Sequence, residues 1–148
     1  MKTSIGLAFS QARKPKPDEI TTCPCAECRE LAVFFGQFDP STATIDDLRE
    51  HETLLVHGTS IAFRYFLPFF LELSIRDLSK AGAIPGLVLC SIAADFKHLD
   101  RIGLLSQQEV ECLESYFDLL VERGECEPEE LCDAQKTLSK LAKRFSNG

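Results

Sequence analysis

The sequence predicts an all-α, single-domain helical bundle of about six to seven helices around a proline-kinked, phenylalanine-rich central helix. Three observations carry that expectation. Apolar residues recur at i, i+3, i+4 and i+7 in segment after segment. Ser and Thr caps and Gly stops punctuate those segments at helix-length intervals. Only Leu87 to Leu89 has the local propensity of a strand, and no second convincing strand exists to pair with it.

In chain order, residues 3 to 10 form a short helix, and Arg13 to Asp18 is a polar connection stiffened by prolines. Residues 1–18 are this arm, and residues 19–148 are the helical core. Thr22 is a candidate N-cap with Pro24 in the first turn, and Gly36 stands where a C′ glycine would. Between them Cys28, Leu31, Ala32 and Phe35 mark one apolar face. A turn over Phe38 to Thr42 leads to Thr44 and Asp47, an acidic variant of the capping box. Ile45, Leu48, Leu54, Leu55 and Val56 then continue a helical segment to a stop at Gly58.

Thr59 or Ser60 caps the hub, which carries five aromatic rings between Ile61 and Leu78: Phe63, Tyr65, Phe66, Phe69 and Phe70. So apolar a run must be a packing centre. Arg64, Glu72, Arg76 and Asp77 interrupt it and exclude a membrane span, which needs about twenty mostly apolar residues. Pro68 lacks an N–H and clashes with the preceding turn, so the expectation is a helix over 61–67 and another from Pro68 to Lys80. Ile84-Pro-Gly86 opens the next element, a helix over 87–100. Ser106 and Glu109 form a capping box, followed by the stripe Val110, Leu113, Phe117 and Leu120, with a stop at Gly124. Pro128 starts the last helix, whose stripe is Leu131, Ala134, Leu138, Leu141 and Phe145.

The hydrophobic content of 45% and charged content of 26% are those of an ordinary soluble domain. Ile5 to Phe9 is weaker than a secretory apolar segment, and Ala83 to Ala94 is too short to cross a bilayer, so a cytoplasmic location is expected. The net charge of −7 argues against nonspecific nucleic-acid or anionic-membrane binding and is compatible with a basic protein partner.

Seven cysteines without a signal peptide read as reduced thiols or metal ligands rather than as a disulfide framework. Cys23-Pro-Cys25-Ala-Glu-Cys28 places three thiols within six residues at a helix entrance, where the helix dipole favours thiolates. Zinc is the expected ion, and a structural site needs a fourth ligand; His57 is the first candidate, with His51 and His98 as others. The competing readings are a core thiol at Cys28 with two bystanders, or a redox pair at Cys25 and Cys28. Cys90 reads as a core residue, whereas Cys126 and Cys132 flank a helix start.

No nucleophile elbow, P-loop, H-E-x-x-H or dinucleotide turn is present, so an enzyme is not expected. His51, between Glu50 and Glu52, reads as part of a solvated helix face. Acidic residues crowd the last third of the chain: Glu109, Glu111, Glu114, Asp118, Glu122, Glu125, Glu127, Glu129, Glu130 and Asp133. They form either a solvated surface or a docking face that steers a basic partner. Lys136, Lys140, Lys143 and Arg144 fit the negative end of the final helix dipole.

The order of Ile5-Gly-Leu-Ala-Phe9, Cys25-Ala-Glu-Cys28 and Ala62-Phe-Arg-Tyr-Phe-Leu-Pro68 resembles a small uncharacterised bacterial family, a domain of unknown function with a "C-x-E-C … AFRYYLP" pattern. The resemblance covers roughly residues 5 to 80. It implies a metal ligand at Cys23, where that pattern has a His, although the family's tryptophan is missing from this chain. By analogy, a small acidic protein without catalytic motifs has the character of an immunity protein. The leading expectation is therefore a noncatalytic module that neutralises a cognate toxin through acidic helix surfaces. The alternatives are a zinc-stabilised helical adaptor or regulator, or an enzyme with a dispersed site.

Overall fold

A computed structural model describes residues 2–147. Eight α-helices account for the regular structure of these residues: α1 (Lys2–Ala8), α2 (Ala26–Gly36), α3 (Ile45–Glu50), α4 (Leu54–His57), α5 (Ser60–Arg76), α6 (Ile84–Ala94), α7 (Gln107–Glu122) and α8 (Pro128–Asn147). A single 3-10 turn, Pro17–Glu19, follows the N-terminal arm. Among the described residues there is no strand, and the isolated antiparallel bridge is between Thr21 and Gly58.

The hub is α5. Thr59 caps it, its hydroxyl accepting from the Ala62 amide at 3.1 Å. Phe63, Phe66, Leu67, Phe70 and Leu71 are fully buried, whereas Tyr65 and Phe69 are half-buried on its flank. Helices α1, α3, α4 and α6 pack directly on α5, and α8 lies across α6 and α7. One hydrophobic cluster draws residues from all eight helices, so this is one domain with one core. Side chains also join α5 to α7: the Tyr116 hydroxyl lies 2.9 Å from Ser74 Oγ inside the core.

Several boundaries depart from the sequence reading. Pro68 does not divide the hub; α5 runs unbroken through it and ends at Arg76, four residues before the expected stop. The missing N–H removes one rung of the ladder, and burial of Pro68 in the folded core outweighs that loss. The segment after Thr44 does break, at residues 51–53, because His51 leaves the helix to stack on Phe34, with centroids 3.7 Å apart. His51 Nδ1 also sits 2.8 Å from the Asp47 carbonyl, so this ring is half-buried and engaged rather than part of a solvated face.

Helix α6 starts at Ile84, using Pro85 in its first turn, and ends at Ala94 rather than continuing to residue 100. Asp95 closes the following loop by accepting from the Arg101 and Ile102 amides at 2.8 Å each. Lys140 of α8 does more than answer its own helix dipole. Its Nζ donates to the carbonyls of Phe96 and Lys97 at 2.7 and 3.1 Å and lies over the Phe96 ring. The α8 stripe is buried at Leu131, Ala134, Leu138 and Leu141, but Phe145 is 36% exposed near the end of the helix. Gly124, at φ +73°, reverses the chain between α7 and α8, where a Cβ would be strained. No helix among the described residues is long and apolar enough to cross a membrane.

Candidate metal centre and acidic face

Helix α2 begins three residues later than its Thr22 cap would place it. Cys25 is the N-cap, with extended backbone (φ −67°, ψ 162°), and Gly36 is the last helical residue rather than a C′ stop. The three thiols therefore lie across a turn that enters a helix: Cys23 before it, Cys25 at its mouth and Cys28 at its third position. Phe35, at the far end of the helix, packs against Phe66 and Phe70 of the hub, with centroids 4.7 and 6.1 Å away. The Thr21 hydroxyl donates to the Cys28 carbonyl at 3.2 Å and folds the preceding strand-like segment back on the helix. That hydroxyl was not singled out from the sequence, because its partner lies around a turn seven residues on.

The sulfurs of Cys23, Cys25 and Cys28 all lie within 4.8 Å of one another. A tetrahedral zinc ion with Zn–S bonds near 2.3 Å requires sulfurs separated by about 3.8 Å, so side-chain rotation of about 1 Å converts the arrangement into a ligand set. Cys23 and Cys25 are exposed, and Cys28 is buried. Their electrostatics differ accordingly. The Cys25 thiol titrates below its usual range, chiefly because the Cys28 amide faces it, with support from the Cys23 and Cys28 side chains. Burial pushes Cys28 up to about 12, reinforced by its hydrogen bonds with the other two thiols. The Cys25 amide also points at Cys23 Sγ, 3.5 Å away. Such a trio can hold a metal ion.

His57 is not a member of this close-set group. It closes α4, and its Nε2 lies 3.9 Å from the carboxylate of Glu27, one of the two residues between the last two thiols. The Glu27–His57 contact is one that the sequence reading passed over, because only the fold brings α4 to α2. The remaining thiols divide by environment. Cys112 is buried, and Cys126 is partly covered beside the α7–α8 turn. Cys132 is exposed, and so is Cys90, which was expected in the core. Its helix α6 buries Val88, Leu89, Ser91 and Ile92 and turns position 90 outward.

Of the ten acidic residues proposed as a partner surface, nine are exposed: Glu111, Glu114, Asp118, Glu122, Glu125, Glu127, Glu129, Glu130 and Asp133. Glu109 is not among them. It is fully buried, completing the α7 capping box with Ser106 and receiving the Nε of Arg64 from the hub. Comparison with protein-family models, with curated proteins and with solved structures returns no match to this chain.

Proposed function

We propose that the protein is a noncatalytic, zinc-stabilised helical module of the adaptor or regulatory kind, whose Cys23, Cys25 and Cys28 hold the ion. The observation that carries this reading is the convergence of three sulfurs within 4.8 Å at one helix entrance. Soft thiolates select zinc over hard cations, and zinc needs no redox partner in the protein. A redox role for Cys25 and Cys28 is less well supported, since among the described residues the regular structure is helical and no βαβ unit frames the pair. The bound ion would tie the exposed turn at Cys23 and Cys25 to Cys28 in the first turn of α2. Protein purified without chelator should contain about one equivalent of zinc and lose melting temperature on chelation. The exposed-thiol variants Cys23→Ser and Cys25→Ser should lose both properties. Zinc-free protein whose melting is indifferent to added zinc would sink the reading.

A second reading, an immunity protein that binds a cognate toxin and occludes its basic active site, is supported by the nine exposed carboxylates on α7, α8 and the turn between them. These lie on different elements from the thiols, so both properties can coexist. Such a surface steers a basic partner and binds it in a salt-sensitive way. Pull-down from the native host, followed by mass spectrometry, should recover a basic protein whose retention falls as salt rises. Neutralising Glu125, Glu127, Glu129 and Glu130 to Gln should release it, and a partner held equally by that variant would exclude this surface.

A further inference from the structure

We propose that His57 closes the metal centre as its fourth ligand, with Glu27 holding the opposite nitrogen of the imidazole ring. The inference rests on the three-thiol reading above and decides what kind of site it is. The backbone supplies the first argument. The Thr21–Gly58 bridge pairs the two segments antiparallel, and the Thr59 amide donates to the Ile20 carbonyl at 3.0 Å. The Thr59 hydroxyl also donates to the Glu19 carbonyl. This register sets His57 across from Thr22, one residue before the first thiol.

The second argument is the neighbour of the ring. Nε2 faces the Glu27 carboxylate at 3.9 Å, although the two side chains are 42% and 55% exposed. A contact this open contributes little to stability, so folding alone gives small reason for it. Metal-bound imidazoles, by contrast, almost always donate their second N–H to a carboxylate or carbonyl, which fixes the tautomer and the ring's orientation. Nε2 is the nitrogen turned toward Glu27, 3.9 Å away and within a small side-chain movement of a hydrogen bond, which leaves Nδ1 for the ion. The other histidines are placed elsewhere: His51 is stacked on Phe34 and bonded to the Asp47 carbonyl, and His98 lies in the turn that Lys140 caps. Four protein ligands leave no open position for substrate or activated water, so the centre is structural rather than catalytic.

Cobalt(II) titration of the full chain tests this, because ligand-field bands report the ligand set and thiolate charge-transfer bands count sulfurs. Wild type should take one cobalt with tetrahedral bands. His57→Ala should keep the three-thiolate charge-transfer intensity, shift the ligand-field bands and bind more weakly. Glu27→Gln should keep the spectrum and lose roughly 10-fold to 100-fold in affinity, as outer-shell changes do. His57→Cys should restore tight tetrahedral binding with added charge-transfer intensity. Both positions are exposed, so the variants should keep the wild-type circular dichroism. An unchanged spectrum and affinity in His57→Ala would remove His57 and leave the three-thiol site standing. A wild type that binds neither cobalt nor zinc would overturn both.

Discussion

Nε of Arg64, on the hub helix, lies 2.9 and 3.1 Å from the two carboxylate oxygens of Glu109, and that carboxylate is fully buried at the start of α7. Glu109 Oε1 also accepts from the Ser106 amide at 2.7 Å. One carboxylate thus closes a helix cap and ties that helix to the hub. Removing Arg64 strands a charge in the core. Arg64→Met should cost roughly 3 kcal/mol in urea denaturation, the lower end of the range for a broken buried pair, since the Arg64 side chain is 20% exposed. Arg64→Met combined with Glu109→Leu should cost less than the sum of the single changes. Additive losses would mean that the two residues act independently.

Tyr116 ties the same two helices at a second point. Burial raises its phenol to about 12, only partly offset by the hydrogen bond to Ser74. An acid whose folded pKa exceeds its unfolded value of about 10 favours the fold while it is protonated. That contribution, on the order of 2–3 kcal/mol, should be complete below about pH 10 and vanish as pH rises through about 12. Absorbance at 295 nm should show Tyr116 ionising only as helicity is lost. Tyr116→Phe should remove the late step and cost about 1 kcal/mol at neutral pH.

The acidic residues around the α7–α8 turn should separate by sign. Glu129 and Glu130 occupy the first turn of α8, where the helix dipole welcomes negative charge. Glu122 is the last residue of α7, a helix with no basic residue in its final turn. Glu129→Gln and Glu130→Gln should therefore each cost about 0.3–1 kcal/mol at low salt. Glu122→Gln should stabilise by a few tenths of a kcal/mol. Thermal melts at low and high ionic strength check both directions, and 1 M salt should erase the difference.

What sequence reveals here is mostly local. The Ser106 and Thr44 capping boxes, the Thr59 cap and the Gly124 reversal form as expected, because each depends on residues within four positions. The burial of Glu109 was illegible, since its partner stands 45 residues away and an acidic run looks solvated from end to end. The break at His51 depends on Phe34, which α2 delivers, and the unbroken hub depends on the burial of Pro68 in the tertiary core. Cys90 misled for a related reason. A helix as apolar as α6 offers no polar stripe to show which side faces out, whereas α7 and α8 do. The three thiols were recognisable because they lie within one turn, whereas the Glu27–His57 contact requires α4 to meet α2.

The uneven exposure of the seven cysteines gives the molecule an internal counter. Cys23, Cys25, Cys90 and Cys132 are open to solvent, while Cys28 and Cys112 are enclosed. Brief alkylation of metal-free protein should mark the four open positions, and zinc should shield Cys23 and Cys25 while leaving Cys90 and Cys132 to react. Intact mass would then report occupancy directly from the number of adducts, with the two unshielded positions serving in every sample as proof that the reagent worked.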